Sequence, residues 1–276
     1  VCTHPFPAGA ASLLKRQRKT TVPVVGVITD FAIHSLWIYP QIDKYFVAAP
    51  HLKDLLVDQG VADHKVFVSG IPVRTAFTEE HWSVKAAEAG HRNVLLMGGG
   101  LGMGSIKDSL LLLDRLDCID SFSVVTGHNA DLFDDLSQLQ KDLKHDVKIF
   151  GYTNQVAALM AQASLLVTKP GALTCTEAAA VGVPSVFYSP IPGQEEANAS
   201  YMQEKGCARW VKSQNRLVEA VADLLQHTEL LCHMSQACRF CRRDGAEVVS
   251  RGVLQMLEER KQKIYYPSGM TPESIS

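Results

Sequence analysis

Short apolar runs recur along the chain, and most of them are rich in β-branched residues. The run over residues 22–29 is almost continuously apolar, as is typical of a strand buried on both faces of a parallel sheet. Similar runs predict further strands at residues 45–49, 65–68, 93–97, 122–126, 147–150, 164–168 and 185–188.

Stretches with helical periodicity lie between several of these runs. Residues 50–60 end on Gly60, which suits a helix C-cap, and residues 105–116, 155–163 and 175–181 also predict helices. Strands that alternate with helices at this spacing indicate a doubly wound, parallel α/β fold.

A polar, charged segment without strand pattern, residues 74–92, interrupts this alternation. A new strand–loop–helix unit opens after it, as the start of a second Rossmann-like domain would. We therefore expect one domain over residues 1–85, a second over residues 86–262 and a loosely ordered tail over residues 263–276.

The composition excludes some classes of protein. The chain has 276 residues, of which 46% are hydrophobic, and a formal net charge of -2, so it can build a core but offers no broad basic surface for nucleic acid. Seven cysteines without zinc spacing indicate reduced thiols in a cytosolic protein. No apolar run reaches the roughly 20 residues that span a bilayer. The chain starts at Val1 without an initiating Met, so we expect that its natural N-terminus is missing.

A glycine-rich loop follows the predicted strand at residues 93–97. Gly99, Gly100 and Gly102, beside Met103, would let backbone N–H groups approach a phosphate, although a tight turn explains them as well. The G-x-G spacing also makes a dinucleotide-binding fold an alternative. No acidic residue ends the next strand about 20 residues on, which argues against NAD.

A second loop follows the predicted strand at residues 164–168. Pro170 and Gly171 make a turn that exposes a helix N-terminus, and Thr174 could cap this helix or bind a phosphate. Glu177 stands three residues after Thr174, as in a capping box. Its carboxylate could equally accept hydrogen bonds from ribose hydroxyls, and the spacing alone leaves both roles open.

Polar residues follow three more predicted strands. Gln194 and Glu195, after the strand at residues 185–188, suit the recognition of sugar hydroxyls or simply begin a solvated helix. Asp30 and His34 could act in acid–base catalysis or bind an acceptor, although a single His beside apolar residues is more often structural. Residues 152–155 could frame a base or cap a helix through Thr153 or Asn154.

Together these motifs resemble those of the GT-B glycosyltransferases in the family of monogalactosyldiacylglycerol synthase and the processive diacylglycerol glucosyltransferases. The resemblance covers nearly the whole chain and is most specific at residues 27–37, 69–73, 96–104, 168–171, 177–178 and 191–198. It implies two Rossmann-like domains that face a cleft, of which the N-terminal one is incomplete here. The strand and glycine-rich, His-containing loop that open the family's N-terminal domain are not present in this sequence.

The resemblance also implies a binding mode for a UDP-sugar in the C-terminal domain. The glycine loop would lie near the diphosphate, Thr174 would meet the phosphates and Glu177 would hold the ribose. The other implied donor contacts are Phe150, Thr153, Asn154 and Gln155 for uracil, Pro170 and Gly171 in the loop before Thr174, Gln194 and Glu195 at the sugar, and Asn198 of the same motif as a further donor-binding residue.

The implied reaction is transfer of a hexose from UDP-glucose or UDP-galactose to a lipid, foremost diacylglycerol, with inversion and no obligatory cofactor or metal. Asp30 and His34 are the candidate catalytic residues. The N-terminal domain would lie against the inner face of the cell membrane from the cytoplasmic side. Residues 15–19, beside Leu13 and Leu14, are the candidate membrane contact, with a solvated charge run as the simpler interpretation.

Two alternatives remain open at this stage. One is an enzyme that uses UDP-GlcNAc, either a transferase to polyprenyl diphosphate or a 2-epimerase, because the pattern at residues 171–177 is shared with the transferases of that kind. The other is a UDP-binding fragment without catalytic activity, since the start of the N-terminal domain is absent.

Overall fold

The computed structural model describes residues 1–79, 90–98 and 105–265, with side chains as far as residue 262. Its strands are β1 Val25–Val27, β2 Lys44–Val47, β3 Val66–Val68, β4 Asn93–Met97, β5 Ser121–Val125, β6 Asp146–Phe150, β7 Leu165–Thr168, β8 Ser185–Phe187 and β9 Ala208–Trp210. Its helices are α1 Pro5–Arg16, α2 Pro50–Asp58, α3 Ile106–Leu113, α4 Ala130–Leu139, α5 Val156–Gln162, α6 Ala172–Val181, α7 Gln194–Glu204, α8 Gln214–Gln226, α9 Thr228–Ala237 and α10 Gly245–Tyr265.

Contacts within the chain divide these residues into two units. The first contains Val1–Thr29, Ile33–Pro72 and the segment from Asp244 onward. The second contains Val73–Arg243 together with the short segment Asp30–Ala32. The predicted domain limit at residues 85–86 lies outside the described residues and stays a prediction.

The last helix belongs to the first unit, although the sequence analysis grouped its residues with the second domain. Val249 of α10 packs against Val25, Val27 and Phe46 of the first sheet. Gly252 of α10 approaches the Phe46 ring so closely that a Cβ at this position would lie 2.6 Å from the ring. Periodicity cannot reveal such a contact, because it joins residues about two hundred positions apart in sequence.

The first unit is built on a parallel sheet in the order β1–β2–β3. Cys2 adds a parallel bridge to Gly26, so the chain passes through α1 between two adjacent extended segments. A proline in the first turn and the His4 ring, which accepts a hydrogen bond from the Phe6 amide at 3.3 Å, start α1.

The second unit has a six-stranded parallel sheet in the order β6–β5–β4–β7–β8–β9. The chain runs outward from β4 through β5 to β6, then returns to the other side of β4 with β7. The strand order therefore reverses between β4 and β7, which is the switch point where doubly wound sheets bind ligands.

Apolar residues cover both faces of this second sheet. Val94 and Leu96 of β4 face a cluster with α3, α4 and α8, whereas Leu95 and Met97 face one with α5 and α6. Successive side chains of a strand point to opposite faces, so this alternation proves that helices pack on both sides. The predicted parallel, doubly wound α/β fold is confirmed.

The boundaries of several elements differ from the predicted ones, because turns at the ends of an element override the hydrophobic pattern. Strand β1 covers only the middle of the run at residues 22–29, and α6 begins at Ala172 rather than at residue 175. The edge strand β9 was not predicted. In the described part of the chain, no helix is long and apolar enough to cross a bilayer.

Candidate functional site

The register of the parallel strands brings the starts of the site loops to one edge of the second sheet. One row of paired residues crosses this sheet and consists of Phe150, Val125, Met97, Thr168, Phe187 and Trp210. The loops after β4, β6, β7 and β8 leave from this row. Four of the sequence-predicted loops thus share the carboxyl edge of the sheet.

The loop after β7 leads directly into the N-terminus of α6. Gly171 is the N-cap and has no side chain that could accept a hydrogen bond from the first-turn amides of α6. Those amides have no partner inside the helix, and the helix dipole adds positive potential at this end. The loop therefore offers donors to an anion such as a phosphate.

Of the two roles left open for Thr174 and Glu177, the structure does not contain the capping box. Because α6 starts at Ala172, Thr174 is the third helical residue and its hydroxyl does not cap the helix. The early start follows from Pro170 and Gly171, which turn the chain before the Ala-rich segment. Glu177 consequently lies in the second turn and is free of the capping role.

Glu177 occupies a partly apolar environment. Its side chain is 17% exposed, and the nearest ion-pair partner is the Arg74 guanidinium, with 3.8 Å between Nη2 and Oε1. Burial raises the pKa of Glu177 to about 7, and the charge of Arg74 counteracts this only partly. A ligand that offers hydroxyl donors would stabilise the ionised carboxylate.

The first turn of α7 carries a second carboxylate that is held by the loop after β7. Glu195 accepts a hydrogen bond from Lys169 Nζ at 3.0 Å through Oε1 and from the Ile191 amide at 2.8 Å through Oε2. The Lys169 and Glu195 side chains are only 17% and 13% exposed. A Cβ at Gly171 would lie 3.8 Å from Glu195 Oε1, so these two predicted residues are neighbours.

Asp30 joins this group, and the expected catalytic role of His34, which belongs to the other unit, stays a prediction. The Asp30 carboxylate accepts a hydrogen bond from Gln194 Nε2 at 3.4 Å, and both residues belong to the second unit. His34 belongs to the first unit, where its ring accepts a hydrogen bond from the Leu36 amide at 3.1 Å and caps a short 3-10 helix. This contact gives His34 the structural role that a single His more often has.

Asn198 lies one turn after Gln194 and is 1% exposed. Its Oδ1 accepts a hydrogen bond from the Phe31 amide at 3.0 Å, and its Nδ2 donates one to the Pro170 carbonyl at 3.2 Å. Both polar atoms of this buried side chain bind backbone groups, and the expected donor-binding role of Asn198 stays a prediction.

The predicted base-binding residues lie at the far side of the same edge. Phe150 ends β6, three strands from β7 in the sheet, a distance of about 14 Å. Thr153 Oγ1 accepts a hydrogen bond from the Gln155 amide at 3.1 Å, and Gln155 is the N-cap of α5. The alternative of a helix cap by Thr153 or Asn154 is not found, and Thr153 forms a local turn instead, while the expected contact with uracil stays a prediction.

Four predicted residues of the glycine loop, namely Gly99, Gly100, Gly102 and Met103, lie outside the described residues. Their expected place near a diphosphate stays a prediction.

Two charged residues of this region were missed in the sequence. Lys169 binds Glu195, and Arg74 approaches Glu177. Lys169 could have been found, because a Lys directly after a buried strand lies at the ligand-binding edge. Arg74 gave no such signal, since it begins the polar segment that was interpreted as a domain linker.

Two family models match the chain. The model described as monogalactosyldiacylglycerol (MGDG) synthase matches residues 1–73. The glycosyltransferase family 28 C-terminal domain matches residues 93–249, which is more than half of the chain.

Curated relatives agree with these matches. A processive diacylglycerol β-glucosyltransferase of Bacillus cereus (strain B4264) is 35% identical over 248 residues, which are 87% of this chain and 63% of that protein. The protein of the same name from Bacillus cytotoxicus is 33% identical over 246 residues, 86% of this chain and 62% of that protein. The chain thus spans less than two thirds of the length of these relatives.

Solved structures share the fold at low identity. MurG of Acinetobacter baumannii superposes with a TM-score of 0.66 and 19% identity, over 92% of this chain and 73% of that one. Anabaena Alr3699/HepE, solved in complex with UDP, gives a TM-score of 0.62 at 12% identity, over 93% and 77% of the two chains. The match to the family 28 C-terminal domain covers more than half of the chain, and the chain therefore belongs to this glycosyltransferase family, with a first segment that matches the monogalactosyldiacylglycerol synthase model.

Proposed function

We propose that this chain transfers a hexose from UDP-glucose or UDP-galactose to a lipid hydroxyl, with diacylglycerol as the acceptor. The observation that carries the proposal is the cluster at the carboxyl ends of β7 and β8. Three features lie there around the loop after β7: the N-terminus of α6, which no side chain of its N-cap residue caps, the carboxyl of Glu177 and the Lys169–Glu195 pair. The curated relatives are named as diacylglycerol glucosyltransferases, which supports the acceptor.

The donor would lie along the carboxyl edge of the second sheet. Its diphosphate would accept hydrogen bonds from the first amides of α6, and Glu177 would accept hydrogen bonds from the ribose hydroxyls. The uracil would lie toward Phe150, since a distance of about 14 Å between β6 and β7 suits an extended nucleoside diphosphate. Gln194 and Glu195 would face the hexose.

The reaction is a direct displacement at the anomeric carbon. The acceptor oxygen forms a bond to this carbon as the bond to the β-phosphate oxygen breaks, and the configuration inverts. UDP leaves with the bonding electrons, and the α6 amides stabilise the charge on its phosphate. Asp30, beside Gln194, would take the proton of the acceptor hydroxyl.

The first unit supplies a surface suited to a lipid bilayer. Along α1, Phe6, Leu13 and Leu14 are 69%, 43% and 45% exposed, and their spacing places them on one side of the helix. Arg16, Arg18 and Lys19 add exposed basic side chains, whereas Lys15 pairs with Asp43 at 2.5 Å. We propose that this face of α1 meets anionic lipids at the inner side of the cell membrane.

A donor and acceptor screen tests the proposal. UDP release is measured with UDP-glucose, UDP-galactose and UDP-GlcNAc, each without acceptor, with diacylglycerol in mixed micelles or with a polyprenyl diphosphate. Release that requires diacylglycerol and one of the two hexoses supports the proposal. Release from UDP-GlcNAc that requires polyprenyl diphosphate would indicate the other transferase. Conversion of UDP-GlcNAc to its 2-epimer without acceptor, followed by NMR of the nucleotide sugar, would indicate the epimerase, and UDP binding without any turnover would indicate a non-catalytic fragment.

A further inference from the structure

One side chain of α7 connects two segments that are remote in sequence. Asn198 accepts a hydrogen bond from the amide of Phe31, 167 positions away, and donates one to the carbonyl of Pro170, 28 positions away. The side chain is 1% exposed, so water does not compete for either bond. Both of its polar atoms are used for holding backbone.

The ring of Phe31 is fixed on the same helix. It is 7% exposed and stacks on Tyr201, with 4.6 Å between ring centroids and an interplanar angle of 15°. The Tyr201 ring in turn meets the edge of Phe240, with centroids 5.9 Å apart. Backbone and side chain of Phe31 are thus both anchored to α7, one and two turns beyond Gln194.

The two bonded segments carry the chemical groups of the site. Asp30 immediately precedes Phe31, and its carboxylate meets Gln194. Lys169 and Gly171 flank Pro170 and lead to the α6 amides. Gln194 and Asn198 are four residues apart, so they lie on the same side of α7.

We propose that Asn198 is a positioning residue for the transfer reaction, which sets the place of the Asp30 carboxylate relative to the loop at Pro170. This inference rests on the proposed function, because it assigns a task to Asn198 within that reaction. It differs from the sequence expectation that Asn198 is a donor-binding residue. A misplacement of about 1 Å between reacting groups lowers a rate by about a hundredfold, so a small shift of Asp30 suffices to matter.

The first test separates turnover from donor binding. Asn198→Ala should lower kcat for lipid glycosylation by about a hundredfold, whereas the Kd for UDP should change by less than about tenfold. Asn93→Ala is the matched control, since Asn93 is a buried amide bonded to Ser121 and Ser123 at the opposite edge of the sheet. It should lose stability but keep kcat. Equal losses of kcat and UDP affinity in Asn198→Ala, or an unchanged kcat, would overturn the proposal.

A conservative variant gives a second readout. In Asn198→Asp, the carboxylate can still accept a hydrogen bond from the Phe31 amide but repels the Pro170 carbonyl. The protonated carboxyl can donate a hydrogen bond to that carbonyl, as the asparagine amide does. The ratio of variant to wild-type kcat should therefore rise as the pH falls. A flat ratio would contradict the role assigned to the Pro170 bond.

Hydrogen exchange distinguishes a failure of this inference from a failure of the proposed function. In Asn198→Ala, amide exchange should accelerate at residues 29–33 and stay unchanged in α8. Unchanged exchange at residues 29–33 would refute the positioning role, even if lipid transfer is observed. If the wild type transfers to no lipid but exchange changes as expected, the proposed reaction is wrong while the placement of Asp30 by Asn198 stands.

Discussion

Arg74 lies 3.8 Å from the carboxylate of Glu177, yet it does not keep that carboxyl ionised at neutral pH. Burial raises the pKa of Glu177 to about 7, and the nearby guanidinium, whose side chain is 56% exposed, opposes this only in part. Water screens an exposed charge effectively. The free protein therefore holds Glu177 partly protonated, and this has consequences for both stability and ligand binding.

The stability of the protein should depend on pH through Glu177. Its pKa is about 7 in the folded protein, against a reference value of 4.5, so the native state favours the protonated form. This contribution to stability is complete below about pH 4.5 and is lost as the pH rises through about 7, and it amounts to about 3 kcal/mol. Glu177→Gln removes it.

Denaturant unfolding of the two proteins at several pH values provides the measurement. The free energy of unfolding of the wild type minus that of Glu177→Gln should fall by about 3 kcal/mol between pH 4.5 and pH 8. A difference that is constant over this range would show that the Glu177 carboxyl titrates normally.

UDP affinity should depend on the same carboxyl. Glu177→Ala removes the acceptor for the ribose hydroxyls and should weaken UDP binding by more than about tenfold, or about 1.4 kcal/mol. Glu219→Ala, an exposed carboxylate on α8 paired with Arg216, is the control and should leave the affinity unchanged. Calorimetric titration measures both, and equal affinity of Glu177→Ala and wild type would mean that the ribose binds elsewhere.

The Lys169–Glu195 pair should show strong coupling in a double-mutant cycle. Both side chains are largely buried, so Lys169→Met leaves the Glu195 charge without its partner and should lower the free energy of unfolding by about 3 kcal/mol. The double variant Lys169→Met/Glu195→Gln should recover at least about 1 kcal/mol of this loss. Additive effects of the two substitutions would show that the pair is not coupled.

Membrane binding should require the apolar side of α1. Leu13→Ser/Leu14→Ser should weaken binding to vesicles that contain phosphatidylglycerol by about tenfold, and added salt should weaken the wild type further. Leu254→Ser is the matched control, because Leu254 is 60% exposed on α10 of the same unit. Co-sedimentation measures the bound fraction. Equal losses in the control and the α1 variant would exclude α1 as the specific contact.

Gly252 tests the packing of α10 in the first unit. An alanine would ordinarily stabilise a helix by about 1 kcal/mol, but its Cβ would lie 2.6 Å from the buried ring of Phe46. The clash should prevail, so Gly252→Ala should lower the free energy of unfolding by about 1–3 kcal/mol. Ser250→Ala, an exposed position on the same helix, should be neutral or slightly stabilising. A stabilising Gly252→Ala would contradict this packing of α10.

Several features were predictable because they depend on neighbours in sequence. Apolar runs and turn residues predicted the parallel α/β fold. The loops after the predicted strands indicated Gly171, Gln194 and Glu195 as candidate site residues, and the strand register brings these loops to one edge of the second sheet. The sequence left a capping box at Thr174 open because two helix starts were compatible with it. The turn at Pro170 and Gly171 favours the earlier one.

The sequence by itself determined the strand–helix alternation and the motifs of a family 28 glycosyltransferase, since both are encoded over a few consecutive residues. Only the tertiary structure decided that Glu195 pairs with Lys169, that Arg74 approaches Glu177, that Asn198 joins Phe31 to Pro170 and that α10 packs on Phe46. Each of these contacts connects distant positions, and its existence depends on strand order and helix packing rather than on local propensity. Burial, which raises the pKa of Glu177, is likewise a property of the assembled fold.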